Sequence, residues 1–307
     1  MPQRSRLPVE NSIGQSPFRR TNAAALRRRG RIRDFVMSLL PIICALVIWE
    51  ICAFSSGSAF VPHLSALAVT IAESFPSDPI IAAQGGGANG YYPHILATLE
   101  VFLACVALGS GTGFLISVIC SPWISTRSLF SAALRPWHVI PPLIVIPLAF
   151  ALLGPSRLSS YLGGTFYAFI STSVIVVGAL DQVPTNLIEL ARLAGAGPLW
   201  VAWRVRAASV LPMLVGPLKI VGSFTLGVVV ILEYLAAPIG IGRVMKFAIA
   251  YNAVELILAG VFWAALIGYG FSTGIDLLSR LFLRWSAKTH ATEAPFSILA
   301  AERLANH

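Results

Sequence analysis

Six apolar runs, each long enough to cross a membrane, constrain what this chain can fold into. A bilayer core of about 30 Å is crossed by about 20 helical residues. We predict transmembrane helices over the six ranges 35–54, 95–120, 130–153, 158–180, 207–232 and 256–282. The expected fold class is therefore all-α, a polytopic bundle of about six transmembrane helices.

Composition agrees with this prediction and excludes other classes of protein. Of the 307 residues, 56% are hydrophobic and 11% are charged, whereas a soluble domain carries about 25% charged residues. This balance excludes an ordinary water-soluble enzyme. The four cysteines have no paired spacing and the five histidines form no metal-binding motif. We therefore expect no disulfide framework, no metal site and no cofactor.

The basic residues divide unevenly between the two sides of this predicted bundle. With both chain ends on one side, 18 of the 22 lysines and arginines lie on that side, three lie on the other, and Lys219 lies within the fifth helix. The positive-inside rule then predicts cytoplasmic ends. We expect 1–34 to be a basic cytoplasmic tail near anionic lipid, with no role in nucleic-acid binding. Residues 35–285 form the predicted transmembrane domain, and 286–307 a cytoplasmic tail.

The segment 181–206, between the fourth and fifth predicted helices, carries a helix–turn–helix pattern. Asn186 is a predicted N-cap, with Glu189 three residues later as in a capping box. Gly195 suits the left-handed position after a helix, and Pro198 suits the start of a second one. The pattern predicts a helix over 186–194. Apolar residues recur along it at spacings of three and four, at Leu187, Leu190, Ala191 and Ala194. Such a short helix is either a prop at the membrane surface or a docking element.

The same segment resembles the EAA loop of binding-protein-dependent ABC importer permeases. Glu189, Ala191 and Gly195 stand at the spacing of that motif, with Leu190 in place of its first alanine. The first Leu–Pro pair of the family is absent, with Ala207–Ala208 in its place, and a second Leu–Pro pair is present four residues later as Leu211–Pro212.

The resemblance covers roughly residues 35–285. The prolines Pro141, Pro142 and Pro147, together with Glu233 and the turn Gly240–Ile241–Gly242, resemble the subfamily that includes the nitrate, taurine and alkanesulfonate permeases.

The resemblance implies a type I ABC importer permease fold and an inner-membrane location. In that family the loop helix docks on a separate ATPase subunit. Two ATPase chains, an extracytoplasmic solute-binding protein and a second copy of the permease are the implied partners, and a small anionic solute is the implied substrate. The implied ATPase-coupling residues are Asn186, Glu189, Leu190, Ala191, Gly195, Leu211 and Pro212.

The chain itself is not expected to hydrolyse ATP. A Walker A motif needs Gly–Lys followed by Ser or Thr, and the only three lysines follow Leu218, Met245 and Ala287. A self-sufficient secondary carrier remains the alternative, although it would be expected to show clustered ionisable residues near the membrane centre or inverted repeats. A membrane-embedded enzyme is disfavoured because no catalytic set is recognisable.

Residues of the translocation path are less clearly marked. Pro141, Pro142 and Pro147 interrupt the third predicted helix and free carbonyl groups, which suits either a pore lining or a kinked, packed helix. Lys219 suits either a structural or gating role or a direct contact with the solute. Glu233 and Glu255, near the outer ends of their spans, are expected to be surface residues or partner contacts and not catalytic groups. Glycines in two spans are expected to allow close helix packing: Gly109, Gly111, Gly113, Gly270 and Gly274.

Overall fold

The computed structural model describes residues 37, 39–55, 61–83, 90–139 and 150–283. The chain divides into two compact units, residues 1–64 and 65–307. In the first unit, residues shortly after helix α1 (Leu39–Ser55) contact the side chain of Glu50 within that helix. His63 Nδ1 lies 2.8 Å from Glu50 Oε1, and the N–H of Leu64 donates to Glu50 Oε2 at 3.1 Å. Glu50 thereby satisfies an amide at the start of helix α2 (Leu64–Glu73).

The second unit contains, among its described residues, four helices long and apolar enough to cross a membrane. After the short α3 (Pro79–Ala83) come α4 (Tyr91–Cys120), α5 (Ile124–Val139), α6 (Arg157–Leu180) and α7 (Thr185–Leu193). The chain continues with α8 (Pro198–Leu235), α9 (Ile241–Ala250) and α10 (Val254–Phe282). Helices α4, α6, α8 and α10 are the four long apolar helices.

These helices confirm the second, fourth, fifth and sixth predicted spans. The first predicted span corresponds to α1, which has an apolar sequence of 17 residues. The third is helical over 130–139 and 150–153. Its middle, including Pro141, Pro142 and Pro147, lies outside the described residues, as do 1–34 and 286–307.

Contacts between the helices show that α8 runs antiparallel to α4, whereas α6 runs parallel to α4, with Arg157 beside Glu100 and Thr172 beside Ser110. Helix α4 ends at Cys120, and the next residue, Ser121, accepts a hydrogen bond from Arg206 near the start of α8. At the opposite end, Thr98 near the start of α4 contacts Glu233 near the end of α8. We call the end that carries α7 and Ser121 the loop end, and the end that carries Thr98 and Glu233 the hairpin end.

Helices α4 and α6 pack closely because two glycines on α4 leave room for the backbone of α6. A Cβ on Gly109 would lie 2.7 Å from the Cβ of Ala168, and one on Gly113 would lie 2.8 Å from the carbonyl oxygen of Phe169. The expected packing role is thus confirmed at both positions. At Gly111, Gly270 and Gly274, a Cβ would meet no neighbouring helix of the described residues within 4 Å, so the described chain shows no packing role for them.

Candidate functional site

Helix α7 forms close to the predicted range but begins differently. It starts at Thr185, with Pro184 in the N-cap position. Asn186 is therefore inside the first turn and is not the cap, so that detail of the prediction is wrong. Its Oδ1 accepts the N–H of Leu187 at 3.0 Å. Glu189 points to the exposed side of the helix, where its charge needs no protein partner.

The end of α7 is a Schellman motif. Gly195 has φ +85°, which confirms the predicted left-handed conformation. Its N–H donates to the carbonyl of Arg192 at 2.9 Å, and the N–H of Ala196 donates to the carbonyl of Ala191 at 3.0 Å. These two bonds satisfy carbonyl groups that a helix end otherwise leaves open. The turn therefore sets a defined angle between α7 and the next helix.

One face of α7 attaches it to the bundle. Ile188 is 8% exposed, and the partly buried Ala191 and Ala196 pack beside it. Burying a side chain of this size stabilises the contact by about 1.5–3 kcal/mol. The cluster that receives them comes from α6, the start of the loop and α8, and contains Val176, Ala179, Leu180, Val183, Val201, Val210 and Leu214.

The opposite face of α7 leaves apolar side chains exposed. Leu187, Leu190 and Leu193 are 43%, 66% and 87% exposed. The apolar spacing that included Leu187 and Leu190 therefore marks the outward face, whereas Ile188 marks the buried one. An exposed apolar patch on a short helix beyond the ends of the long helices is typical of a contact site for another protein.

The chain after the turn differs from the prediction. The expected second loop helix and the fifth span are one continuous helix, α8. Within α8, residues Ala202–Ala207 form a π-helical segment and Leu211–Leu214 a 3-10 segment. Pro212 lies in the latter, since proline has no N–H to donate to a regular α-helix. Leu211 and Pro212 thus lie on α8, away from the exposed face of α7.

Two arginines connect the helices at the loop end. Arg206, within the π-helical segment, is 8% exposed, and its Nη1 donates to the backbone oxygen of Ser121. Arg127 in α5 forms an ion pair with Asp181, the residue that ends α6. Neither contact is predictable from the local sequence, because the partners are far apart along the chain.

Lys219, the path candidate within the described residues, has a partner. Its Nζ lies 2.5 Å from Asp276 Oδ1, so the pair connects α8 to α10. The side chains are 27% and 45% exposed. A cation at this position in a span needs a counter-charge or water, and Asp276 supplies the former.

Glu233 is buried, whereas a position at the surface or in a partner contact was expected. It is 2% exposed and not a surface residue. Its Oε2 accepts hydrogen bonds from the Thr98 hydroxyl at 2.8 Å and from the Gly242 N–H at 3.2 Å. Thr98 in turn accepts the N–H of Ile241 at 2.9 Å. The first amides of α9 are thereby satisfied by side chains of α4 and α8.

The described residues contain no group of three or more His, Cys, Asp or Glu side chains placed to hold a metal ion. The site at the loop end instead consists of the exposed apolar face of α7, whose opposite face is packed against α6 and α8. Such a face is suited to contact with another protein. Comparison with known proteins identifies the family of the chain. Residues 101–288 match the family of binding-protein-dependent transport system inner membrane components.

The chain belongs to this family. It is a multi-pass inner-membrane permease subunit of an ABC importer, similar to taurine and aliphatic-sulfonate permeases, as its resemblance implied. The family implies an ATPase subunit and a solute-binding protein as partners.

Several permeases that are named for a solute are similar to this permease. It is 25% identical over 210 residues to the taurine transport system permease protein TauC of Escherichia coli, covering 67% of this chain and 75% of TauC. It is 24% identical over 276 residues to the putative aliphatic sulfonates transport permease protein SsuC of Bacillus subtilis, covering 87% and 94%. The riboflavin transport system permease protein RibX of Chloroflexus aurantiacus is 28% identical over 150 residues, which are 49% of this chain and 56% of RibX.

The fold of the permease is also similar to a solved structure. A chain of the MetNI methionine ABC transporter, in an inward-facing conformation, superposes with a TM-score of 0.52 and 20% sequence identity. The match covers 61% of this permease and 94% of that chain. The type I importer permease fold is therefore confirmed.

Proposed function

We propose that this permease forms the translocation path for a small anionic solute and that the loop 189–195 couples it to a separate ATPase. The observation that supports the coupling most directly is the exposed apolar face of α7. Leu190 and Leu193 are 66% and 87% exposed, while Ile188 holds the helix against the bundle. An ATPase groove that covered this face would remove the exposed leucines from water.

Charge supports a cytoplasmic position for the loop end. With this orientation, 18 basic residues lie on the cytoplasmic side and three on the opposite side. Arg192, Arg204 and Arg206 all belong to the loop or the helix that follows it. Both chain ends would then be cytoplasmic, which is also where ATP is available to the partner.

The packing of α7 supports a route for the motion. Ile188 and Ala191 contact the cluster formed by α6 and α8, and the Schellman turn at Gly195 joins α7 directly to α8. A displacement of α7 therefore acts on two long helices. We propose that two copies of the permease and two ATPase chains make up the importer, and that a solute-binding protein delivers the solute from outside.

The names of similar permeases support the class of solute. TauC is named for taurine and SsuC for aliphatic sulfonates, and both kinds of molecule carry a sulfonate group. We propose a nitrate-, sulfonate- or taurine-like solute on this basis. Asn186, Glu189, Leu190, Ala191, Gly195, Leu211 and Pro212 remain the proposed coupling residues, with the first five on or next to α7.

A single substitution at the exposed tip tests the coupling. The permease is reconstituted in proteoliposomes with its ATPase and its binding protein, and solute uptake and ATPase association are measured. Leu193→Glu places a charge on the outward face without disturbing a buried contact, so we expect uptake and association to fall about tenfold or more.

Two variants serve as controls for this experiment. Leu193→Met keeps the position apolar, and Gln182→Glu adds the same charge to an exposed residue of the loop outside α7. Both should retain uptake. Normal uptake and ATPase association in Leu193→Glu would refute the docking assignment. Uptake by the permease alone under an ion gradient would instead favour the secondary carrier.

A further inference from the structure

Three polar side chains form a cluster on the surface of α4 and α6, towards the hairpin end. Arg157 Nη2 donates to Glu100 Oε2 at 3.0 Å, and the Tyr161 hydroxyl donates to Glu100 Oε1 at 2.8 Å. The side chains of Glu100 and Arg157 are 63% and 39% exposed. The cluster is separate from the loop end and from the Lys219–Asp276 pair.

The length of α4 gives the depth of this cluster in the membrane. Tyr92 is 52% exposed near the start of the helix, and Trp123, 45% exposed, lies three residues after the helix ends at Cys120. From Tyr92 to Cys120 the helix rises about 42 Å, close to the roughly 40–45 Å thickness of a bilayer with its headgroups. Glu100 lies about 12 Å from Tyr92 along the helix. The headgroup layer on each side is only about 7 Å thick, so Glu100 lies below it.

An exposed ion pair at this depth does not face lipid without a large cost. Charged side chains within transmembrane helices face the bundle interior or a water-filled cavity. On α4, the residues four, seven and eleven positions after Glu100 are Ala104, Ala107 and Gly111, which lie on the same side of the helix. Small side chains there leave space beside the ion pair along the direction of the span.

Water covers this cluster better than a second protein surface would. The Arg157 guanidinium has five N–H donors, and a dry interface would leave those not bonded to Glu100 without acceptors. A water-filled path supplies acceptors at little cost. The polar character of the cluster therefore favours the path.

We propose that Glu100, Arg157 and Tyr161 line the solute path, with Arg157 as the contact for the anionic group of the solute. This rests on the proposed function, a path for an anionic solute. A planar guanidinium binds the oxygens of a carboxylate or sulfonate in pairs. Glu100 occupies the guanidinium when no solute is present, and the Tyr161 hydroxyl holds Glu100 in that position. When a solute binds, its oxyanion takes the place of the Glu100 carboxylate on the guanidinium. Arg157 therefore has an anionic partner both with and without solute.

Cysteine labelling of the ATPase complex in proteoliposomes tests the position of the cluster. Glu100→Cys is treated with a membrane-impermeant cationic methanethiosulfonate, and the unsubstituted permease gives the background from its native cysteines. Leu162→Cys is the matched control, because Leu162 is 47% exposed and directly follows Tyr161 on α6. We expect labelling of Glu100→Cys to be about tenfold faster, since thiols in water react and thiols in lipid do not. Equal rates for the two variants would refute the proposal.

Protection by a simple sulfonate tests the role of Arg157. Ethanesulfonate should slow the labelling of Glu100→Cys about threefold, because it binds the guanidinium that the substitution has freed. The neutral compound ethyl methyl sulfone should give no protection, and Arg157→Gln in the same background should abolish it. Equal protection by both compounds, or protection that persists in Arg157→Gln, would refute Arg157 as the anion contact.

The labelling result is separable from the coupling test. Labelling needs no ATP hydrolysis, so a failure of the Leu193→Glu experiment leaves it unchanged. Conversely, a permease whose uptake depends on Leu193 but whose Glu100→Cys variant is unreactive would retain the proposed coupling and lose only the path assignment.

Discussion

Glu233 of α8 and Thr98 of α4 are joined by a 2.8 Å hydrogen bond at the hairpin end, where Glu233 is 2% exposed and Thr98 is fully buried. The same carboxylate accepts the N–H of Gly242 in α9. One side chain thus connects three helices that are far apart in sequence. A buried acceptor with two donors is costly to remove, because both donors lose their partner.

Removing this carboxylate should destabilise the hairpin end. For Glu233→Ala we expect the free energy of unfolding to fall by about 1–3 kcal/mol, the cost of leaving buried donors unsatisfied. Unfolding of the purified permease by sodium dodecyl sulfate in mixed micelles measures this change. Glu255→Ala, at a partly exposed carboxylate on α10, is the control and should change stability little. An equal effect of the two variants would contradict the role of Glu233.

Two glycines on α4 provide a matched pair for the packing of α4 on α6. Gly109→Ala adds a Cβ against the backbone and side chain of α6, whereas Gly111→Ala adds one into open space among the described residues. We expect Gly109→Ala to lower stability by about 1–3 kcal/mol through overpacking. Gly111→Ala should be neutral or slightly stabilising, because alanine favours a helix over glycine. Thermal aggregation of the detergent-solubilised variants tests both expectations, and a reversed order would contradict the packing.

The left-handed turn after α7 should control coupling more than stability. Gly195→Val forces a β-branched residue to φ +85°, at a cost of about 1–2 kcal/mol. We expect the turn to rearrange and solute uptake per ATP hydrolysed to fall several-fold. Gly195→Asn should retain coupling, because asparagine tolerates this conformation.

A second glycine in the same turn provides the control for that prediction. Gly197 has φ −69° and, among the described residues, open space around it. Gly197→Val should therefore leave the ratio of uptake to hydrolysis unchanged. If it uncoupled as strongly as Gly195→Val, bulk in the loop and not backbone conformation would be responsible.

The Lys219–Asp276 pair should show measurable coupling between α8 and α10. Lys219→Met and Asp276→Asn each leave one charge without its partner, and the double variant removes both charges. Polar contacts between transmembrane helices contribute about 1 kcal/mol in such cycles. We expect a coupling energy of that size from unfolding in mixed micelles, reduced by the partial exposure of both side chains. Strictly additive effects would show that the pair contributes nothing.

The local features of the loop were predictable because they depend on near neighbours. The helix near 185–193 and the conformation of Gly195 follow from residues within one or two turns. The buried face of α7 was not predictable in the same way. Both Ile188 and Leu190 are apolar, and only the cluster on α6 and α8 determines that Ile188 is covered.

Long-range contacts explain the remaining differences. Glu233 was expected at the surface because nothing near it in sequence suggests a partner, and Thr98 is 135 residues away. Gly111 was expected to pack because glycine spacing does not show which side of α4 faces α6. The boundary expected between the loop and the fifth span was wrong because the π-helical and 3-10 segments carry the helix past Leu211 and Pro212 without a break.

The length of α8 bears on how far from the membrane the proposed ATPase would bind. A helix of 38 residues extends about 57 Å, whereas a bilayer with its headgroups is about 40–45 Å thick. The helix is therefore longer than an untilted span by at least two turns, and α7 is attached to its first residues. With the coupling proposed above, the ATPase would contact α7 at a distance from the headgroups, and its motion would reach the membrane through protein alone.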